Sequence, residues 1–177
     1  MKAFELMAQY NKWMNEKIYT CAEKLSEDEL AEDRGAFFGS VLGTLNHILV
    51  GDIIWLKRFS EHPKDFSSLI YLRNRAQPKS LAEVTHSDLS VLSSERKIID
   101  EIIVSFSKEI SQTDADSSLN YRNTKGEEFS KNFGHLLQHM FNHQTHHRGQ
   151  VSTLFNQLGH DVGATDLLMC IPSDPRL

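Results

Sequence analysis

KNFGHLLQHMFNHQTHHRGQVSTLFNQLG, Lys131 to Gly159, is the stretch whose reading decides the fold. Phe133, Leu137, Met140, Val151, Leu154 and Leu158 fall at helical spacing and, with Leu136 and Phe155 flanking, draw one apolar stripe along a long amphipathic helix. Gly159 suits the left-handed backbone just past a helix terminus, so the helix is expected over Lys131 to Leu158. The same run holds five of the chain's nine histidines, at positions 135, 139, 143, 146 and 147, and such clustering needs a physical reason.

An ideal helix turns about 100° and rises about 1.5 Å per residue, so histidines four apart stand about 6 Å apart and can share one ion. By that arithmetic His147 lies about 40° from the centre of the apolar stripe and His143 about 80°, while His139, His146 and His135 lie at roughly 120°, 140° and 160°. His143 and His147 are therefore the pair that points inward. A buried neutral imidazole needs partners for both ring nitrogens. Ordinary hydrogen bonds would serve, and a shared metal would satisfy both residues at once.

A third ligand must come from elsewhere. A second helix is expected from the Ser40 cap to about Phe59, and it carries one histidine, His47, on a stripe with Gly43, Val50 and Ile54. Its opposite face is apolar too, through Leu42, Leu45, Leu49 and Leu56, so periodicity does not settle which face meets the histidine-rich helix. A first helix is expected over about Phe4 to Leu25, followed by a short capped turn at Ser26 to Glu29 and a break at Arg34-Gly35. The polar, weakly patterned stretch from about Lys64 to Lys79 reads as the long connection. Ser80 is the expected cap of a further helix over about Leu81 to Ile110.

Residues 111 to 130 suggest a hairpin-like excursion around Asn123-Thr124-Lys125-Gly126. The tail ending IPSDPRL is expected to be irregular after a short helix at Asp166 to Cys170. Four long helical patterns with almost no strand signal predict an all-α four-helix bundle with a long crossover connection. At 177 residues the chain is read as a single domain, 1–177.

No stretch approaches the roughly 18 apolar residues of a membrane span, and the N-terminus lacks a secretory apolar block, so a soluble cytoplasmic protein is expected. The net charge is −5 and the 19 basic residues are scattered among 24 acidic ones, which argues against a nucleic-acid partner. Cys21 and Cys170 lie far apart without CxxC spacing, suggesting two buried thiols.

The runs QYNKWMNEKI (Gln9 to Ile18), GSVLGTLNHILVGDIIWLKRF (Gly39 to Phe59) and HMFNHQTHHRGQVSTLFNQLG (His139 to Gly159) resemble the DinB family of DNA-damage-inducible, YfiT-like candidate metalloenzymes. The resemblance implies a bundle of the DinB/YfiT-like type, commonly a homodimer, binding nickel or zinc through three histidines. These correspond to His47 of the TLNH run and to His143 and His147 of the HQTHHRGQ run. His139 and His146 then fall outside the ligand set. In the Arg148-Gly149-Gln150 trio that follows, Gly149 suits close helix approach and Gln150 a hydrogen bond near the site.

Three neutral histidines leave a divalent metal an open position, as in catalytic sites. Gln144 follows His143, so the general-base carboxylate of an HExxH peptidase is missing. The resemblance, to a family that includes thiol-dependent transferases, implies a metal-dependent thiol S-transferase or hydrolase acting on a small molecule, with a small thiol as one candidate substrate. The alternative is a metal-binding stress-response protein without turnover.

Overall fold

A computed structural model describes residues 2–173. Four long helices carry the structure: α1 (Ala3–Ala22), α3 (Val41–Phe59), α5 (Leu89–Glu109) and α7 (Phe133–Gln157). Short helices α2 (Glu27–Ala31), α4 (Ile70–Arg73) and α6 (Gln112–Asp116) lie between them, with an antiparallel pair of strands, β1 (Ser118–Arg122) and β2 (Glu128–Asn132). The molecule is mostly helical, as expected, with one small sheet. Helix α1 packs on α5 and α7, and α3 packs on the same two, so the four long helices close a ring. No helix among the described residues is long and apolar enough to cross a membrane.

Caps set most helix starts. Ser26 and Glu29 form the expected reciprocal capping box, and the Ser40 hydroxyl accepts from the Gly43 amide at 3.0 Å. The hairpin falls where the Asn123 to Gly126 turn placed it, with Gly126 at a φ of 83° and Tyr121 opposite Phe129. Capped by a Ser111–Asp114 box, α6 was not expected.

The connection over residues 64–79 holds structure of its own: a 3-10 turn at Ser67–Leu69 runs into α4, and Phe66, Leu69 and Leu72, three apart, are fully buried against the core. One expected boundary fails. Helix α5 starts at Leu89, not Leu81, because Asp88 supplies the cap, its Oδ1 accepting from the Ser90 and Val91 amides at 2.7 and 3.1 Å. Residues 81–88 are drawn off as an irregular strap across α3. The Asn46 side chain holds it, accepting from the His86 amide and the Thr85 hydroxyl at 3.0 Å and donating to the His86 carbonyl at 2.9 Å.

A 3-10 turn occupies Leu167–Cys170, where a short helix was expected. Cys21 is buried, but Cys170 on that turn is only partly so. The end of the IPSDPRL tail, residues 174–177, lies outside the described residues.

The core is not purely apolar. Asp52 (α3), Arg96 and Asp100 (α5) and Arg148 (α7) are all at most 3% exposed, and their formal charges cancel. Arg96 bridges the two carboxylates, donating to Asp52 at 2.5 Å and standing 3.0 Å from Asp100. Asn11 and Asn15 of α1 donate to Asp100, Gln144 of α7 donates to Asp52 at 2.8 Å, and Arg148 donates to Asn11. Burial pushes Asp100 up to about 6 against the pull of Arg96, and brings Arg148 down to about 10. Such a network fixes which helix faces meet, because any other arrangement would strand a charge away from water.

Candidate metal centre

Two helices present the histidines. On α3, Gly43, His47, Gly51 and Trp55 repeat every fourth residue and share one face. On α7, His135, His139, His143 and His147 do the same. The two faces meet rung by rung, with His47 against His147 (ring centroids 4.4 Å), Gly51 against His143, and Trp55 against His139 (5.0 Å).

His47, His143 and His147 converge. One ligand atom from each lies within 4.8 Å of the others, an arrangement that could hold a metal ion. His47 Nε2 stands 2.9 Å from His143 Nε2 and 3.1 Å from His147 Nε2. Among the described residues this cluster has no fourth histidine, cysteine or carboxylate member.

Tautomers follow from the outer partners. His47 Nδ1 lies 2.7 Å from the Leu81 carbonyl, which can only accept, so the proton sits on Nδ1 and Nε2 carries a lone pair. His147 is set in the same way by the Gln150 side-chain carbonyl, 2.7 Å from Nδ1. Two lone pairs therefore face each other across 3.1 Å, where no hydrogen bond can form. Burial holds both imidazoles below the ordinary histidine value, which keeps them neutral. For His143, burial and then its two histidine neighbours lower the value to about 3.

The donor set thus fits a cation. A metal–nitrogen bond of about 2.1 Å gives nitrogen separations of about 3.0 Å at right angles and about 3.4 Å in a tetrahedron. The observed 2.9 and 3.1 Å lie on the right-angle side of that range.

Phe38, Gly51 and the Leu81 carbonyl, which sequence reasoning missed, support this cluster, together with Gly43 of the His47 stripe. Phe38 lies flat on His47 with ring centroids 3.6 Å apart and turns its edge to His147. Gly43 makes room for it, since a Cβ there would stand 2.2 Å from the Phe38 carbonyl oxygen. Gly51 makes room for His143, since its Cβ would stand 2.7 Å from Cε1 of that ring. The pattern Gly43, His47, Gly51 was visible as four-residue spacing. The Leu81 carbonyl was not, because the strap that brings it depends on Asn46.

The other histidines of α7 stay outside the cluster. His135, His139 and His146 are exposed; His139 rests its ring on Trp55 and His146 lies beside Gln150. Gly149 is exposed with open space around it, so close helix approach is not its role. Gln150 does bond near the site. Gln144 is buried and turned to Asp52, leaving no carboxylate one residue past His143. Trp13 and Trp55 are each partly buried against the core.

A mostly helical chain whose three histidines, from two helices, could hold one metal ion with no further side-chain ligand is the class that fold and site define. Residues 1–175 match the family model of the DinB family, and the chain belongs to that family. It is 27% identical over 168 residues to Protein DinB of Bacillus subtilis (strain 168), an alignment covering 93% of this chain and 90% of that protein.

Proposed function

We propose that this chain is a metal-dependent enzyme of the DinB/YfiT-like four-helix-bundle type, holding nickel or zinc on His47, His143 and His147. It would act as a thiol-dependent S-transferase or a hydrolase on a small molecule. The observation that carries the reading is the pair of facing Nε2 lone pairs on His47 and His147, a contact unfavourable without a cation between them. A divalent ion there supplies Lewis acidity at an open position, lowering the pKa of a bound water or thiol. The protein's part is orientation. Leu81 and Gln150 hold the ring tautomers, Gly51 seats His143, and Phe38 shields His47 from water on one side.

Elemental analysis should find about one divalent ion per chain, because the three rings supply a single set of converging donors. His143→Ala or His147→Ala should largely empty the site, whereas His139→Ala or His146→Ala should not. The reverse ranking would remove the assignment. A small thiol added to cobalt-loaded protein should produce a sulfur-to-metal charge-transfer band.

The second reading is a metal-binding stress protein without turnover, with the ion cross-linking α3 and α7. The buried positions of His47 and His147 favour it, at 3% and 9% exposure. In that case the thiol leaves the spectrum unchanged and chelation sharply lowers the melting temperature.

A homodimer belongs to the same proposal. The doubly apolar α3 does not favour it, because that helix is buried on nearly every face within the chain. What favours a second copy instead is Val91 and Ile98, half exposed and two turns apart on α5. Sedimentation at micromolar concentration should give twice 20.3 kDa.

A further inference from the structure

The seam between α3 and α7 does not end at the three histidines. One rung beyond Gly51 and His143, Trp55 meets His139, and a cavity of about 580 Å³ opens there, within the range of roughly 300–1,000 Å³ typical of small-molecule sites. Trp55, Tyr121 and Leu136 give it apolar and aromatic walls, and Lys131, Asn132, His135 and His139 its polar lining. The His139 ring lies 6.3 Å from that of His143, so the groove begins one ring away from the candidate metal centre.

Its charge is lopsided. Among the described residues no carboxylate lines the groove. The Lys131 ammonium, which lines it, lies 5.6 Å from the centre of the Phe129 ring, while the Arg58 guanidinium, outside the lining, covers Trp55 and Tyr121 at 4.6 and 5.1 Å from their ring centres. Among the described residues neither cation makes a salt bridge, although Glu61 bears electrostatically on Arg58. A lining cation without a salt bridge beside two aromatic walls, in a chain of net charge −5, calls for an anion with a flat apolar body.

We propose that this groove binds a small aromatic carboxylate, its ring against the Trp55 and Tyr121 walls and its carboxylate toward Lys131. As a substrate subsite beside the metal it rests on the function proposed above, whereas binding itself does not. The ring contributes stacking and burial, and the carboxylate selects the charge.

The chain has two tryptophans, so Trp13→Phe leaves Trp55 as sole reporter. Phenylbutyrate titrated into metal-free Trp13→Phe protein should change Trp55 emission saturably, with binding at least about tenfold tighter than that of phenylbutanol or phenylbutylamine, the factor expected of one charge-assisted contact. Lys131→Ala should erase that preference and Lys131→Arg restore it. In the otherwise unaltered chain, Trp55→Phe should abolish the ligand-induced change, a control that does not depend on Trp13→Phe folding. No saturable response, or equal responses to acid, alcohol and amine, would overturn the groove. Metal content is measured separately, so a protein that binds the acid without any ion would sink the metal reading alone, and a loaded protein indifferent to the acid would sink only the groove.

Discussion

Gly51→Ala is the substitution that most directly tests how the centre is built. The added Cβ would stand 2.7 Å from Cε1, 3.3 Å from Nδ1 and 3.6 Å from Nε2 of His143. Carbon atoms in contact settle near 3.5–4.0 Å, so the ring must retreat by about 0.8 Å or more. Metal–ligand distances tolerate only about 0.2 Å. One ligand of three is thereby displaced, and the expected loss in metal affinity is about 10–100-fold, the size seen when a ligand's supporting contact is removed. Competition against a chromophoric chelator measures it. Gly149→Ala is the matched control, because that glycine faces open space and the change should only gain the helix about 0.5–1 kcal/mol. Undiminished affinity in Gly51→Ala would refute the reasoning, since His143 would then not depend on the close approach.

Gln150→Leu removes the acceptor that fixes the His147 tautomer, so metal affinity should fall by about 10–100-fold while the helical circular dichroism is kept. Arg96→Met leaves Asp52 and Asp100 buried without their shared cation and should cost about 3–5 kcal/mol, read from the denaturant midpoint; a shift under about 1 kcal/mol would mean the network is not charged as described. Metal-free protein should lose stability as the pH falls below the ordinary histidine value of 6.5 toward about 3, because the unfolded His143 takes up a proton there and the folded one does not. His143→Phe should flatten that dependence, and an unchanged slope would count against a buried neutral ring.

How much of this was legible beforehand differs by element. His143 and His147 could be singled out because α7 is amphipathic, so its apolar stripe gives the helix a direction. Helix α3 offers no such direction. It is buried almost all round, and an apolar run through Leu45, Leu49, Ile53 and Leu56 hides the face that matters. What orients it is the absence of side chains at Gly43 and Gly51, a steric cue weaker in sequence than a stripe. The start of α5 was misplaced because Ser80 and Asp88 are both legitimate caps, and the choice is made by Asn46, some forty residues away, through its bonds to Thr85 and His86. Phe66, Leu69 and Leu72 carried the spacing of a helical turn inside a polar stretch. The Asp52 to Arg96 pairing links two helices, so no local pattern announced it.

The same network bears on how the centre is preorganised. Gly51 and His143 form one rung of the seam, and the residues next along, Asp52 and Gln144, are joined by a buried hydrogen bond of 2.8 Å. Sliding α7 by one turn would carry its histidines about 6 Å along the seam. It would also withdraw the Gln144 amide from Asp52 and carry Arg148 away from Asn11, leaving buried polar groups unpaired at several kcal/mol. The slip is opposed before any ion arrives. Metal binding then need not supply the energy that brings the helices into register. On the function proposed above, an ion would have only to relieve the repulsion between nitrogens already in place, leaving its binding energy for an exchangeable ligand.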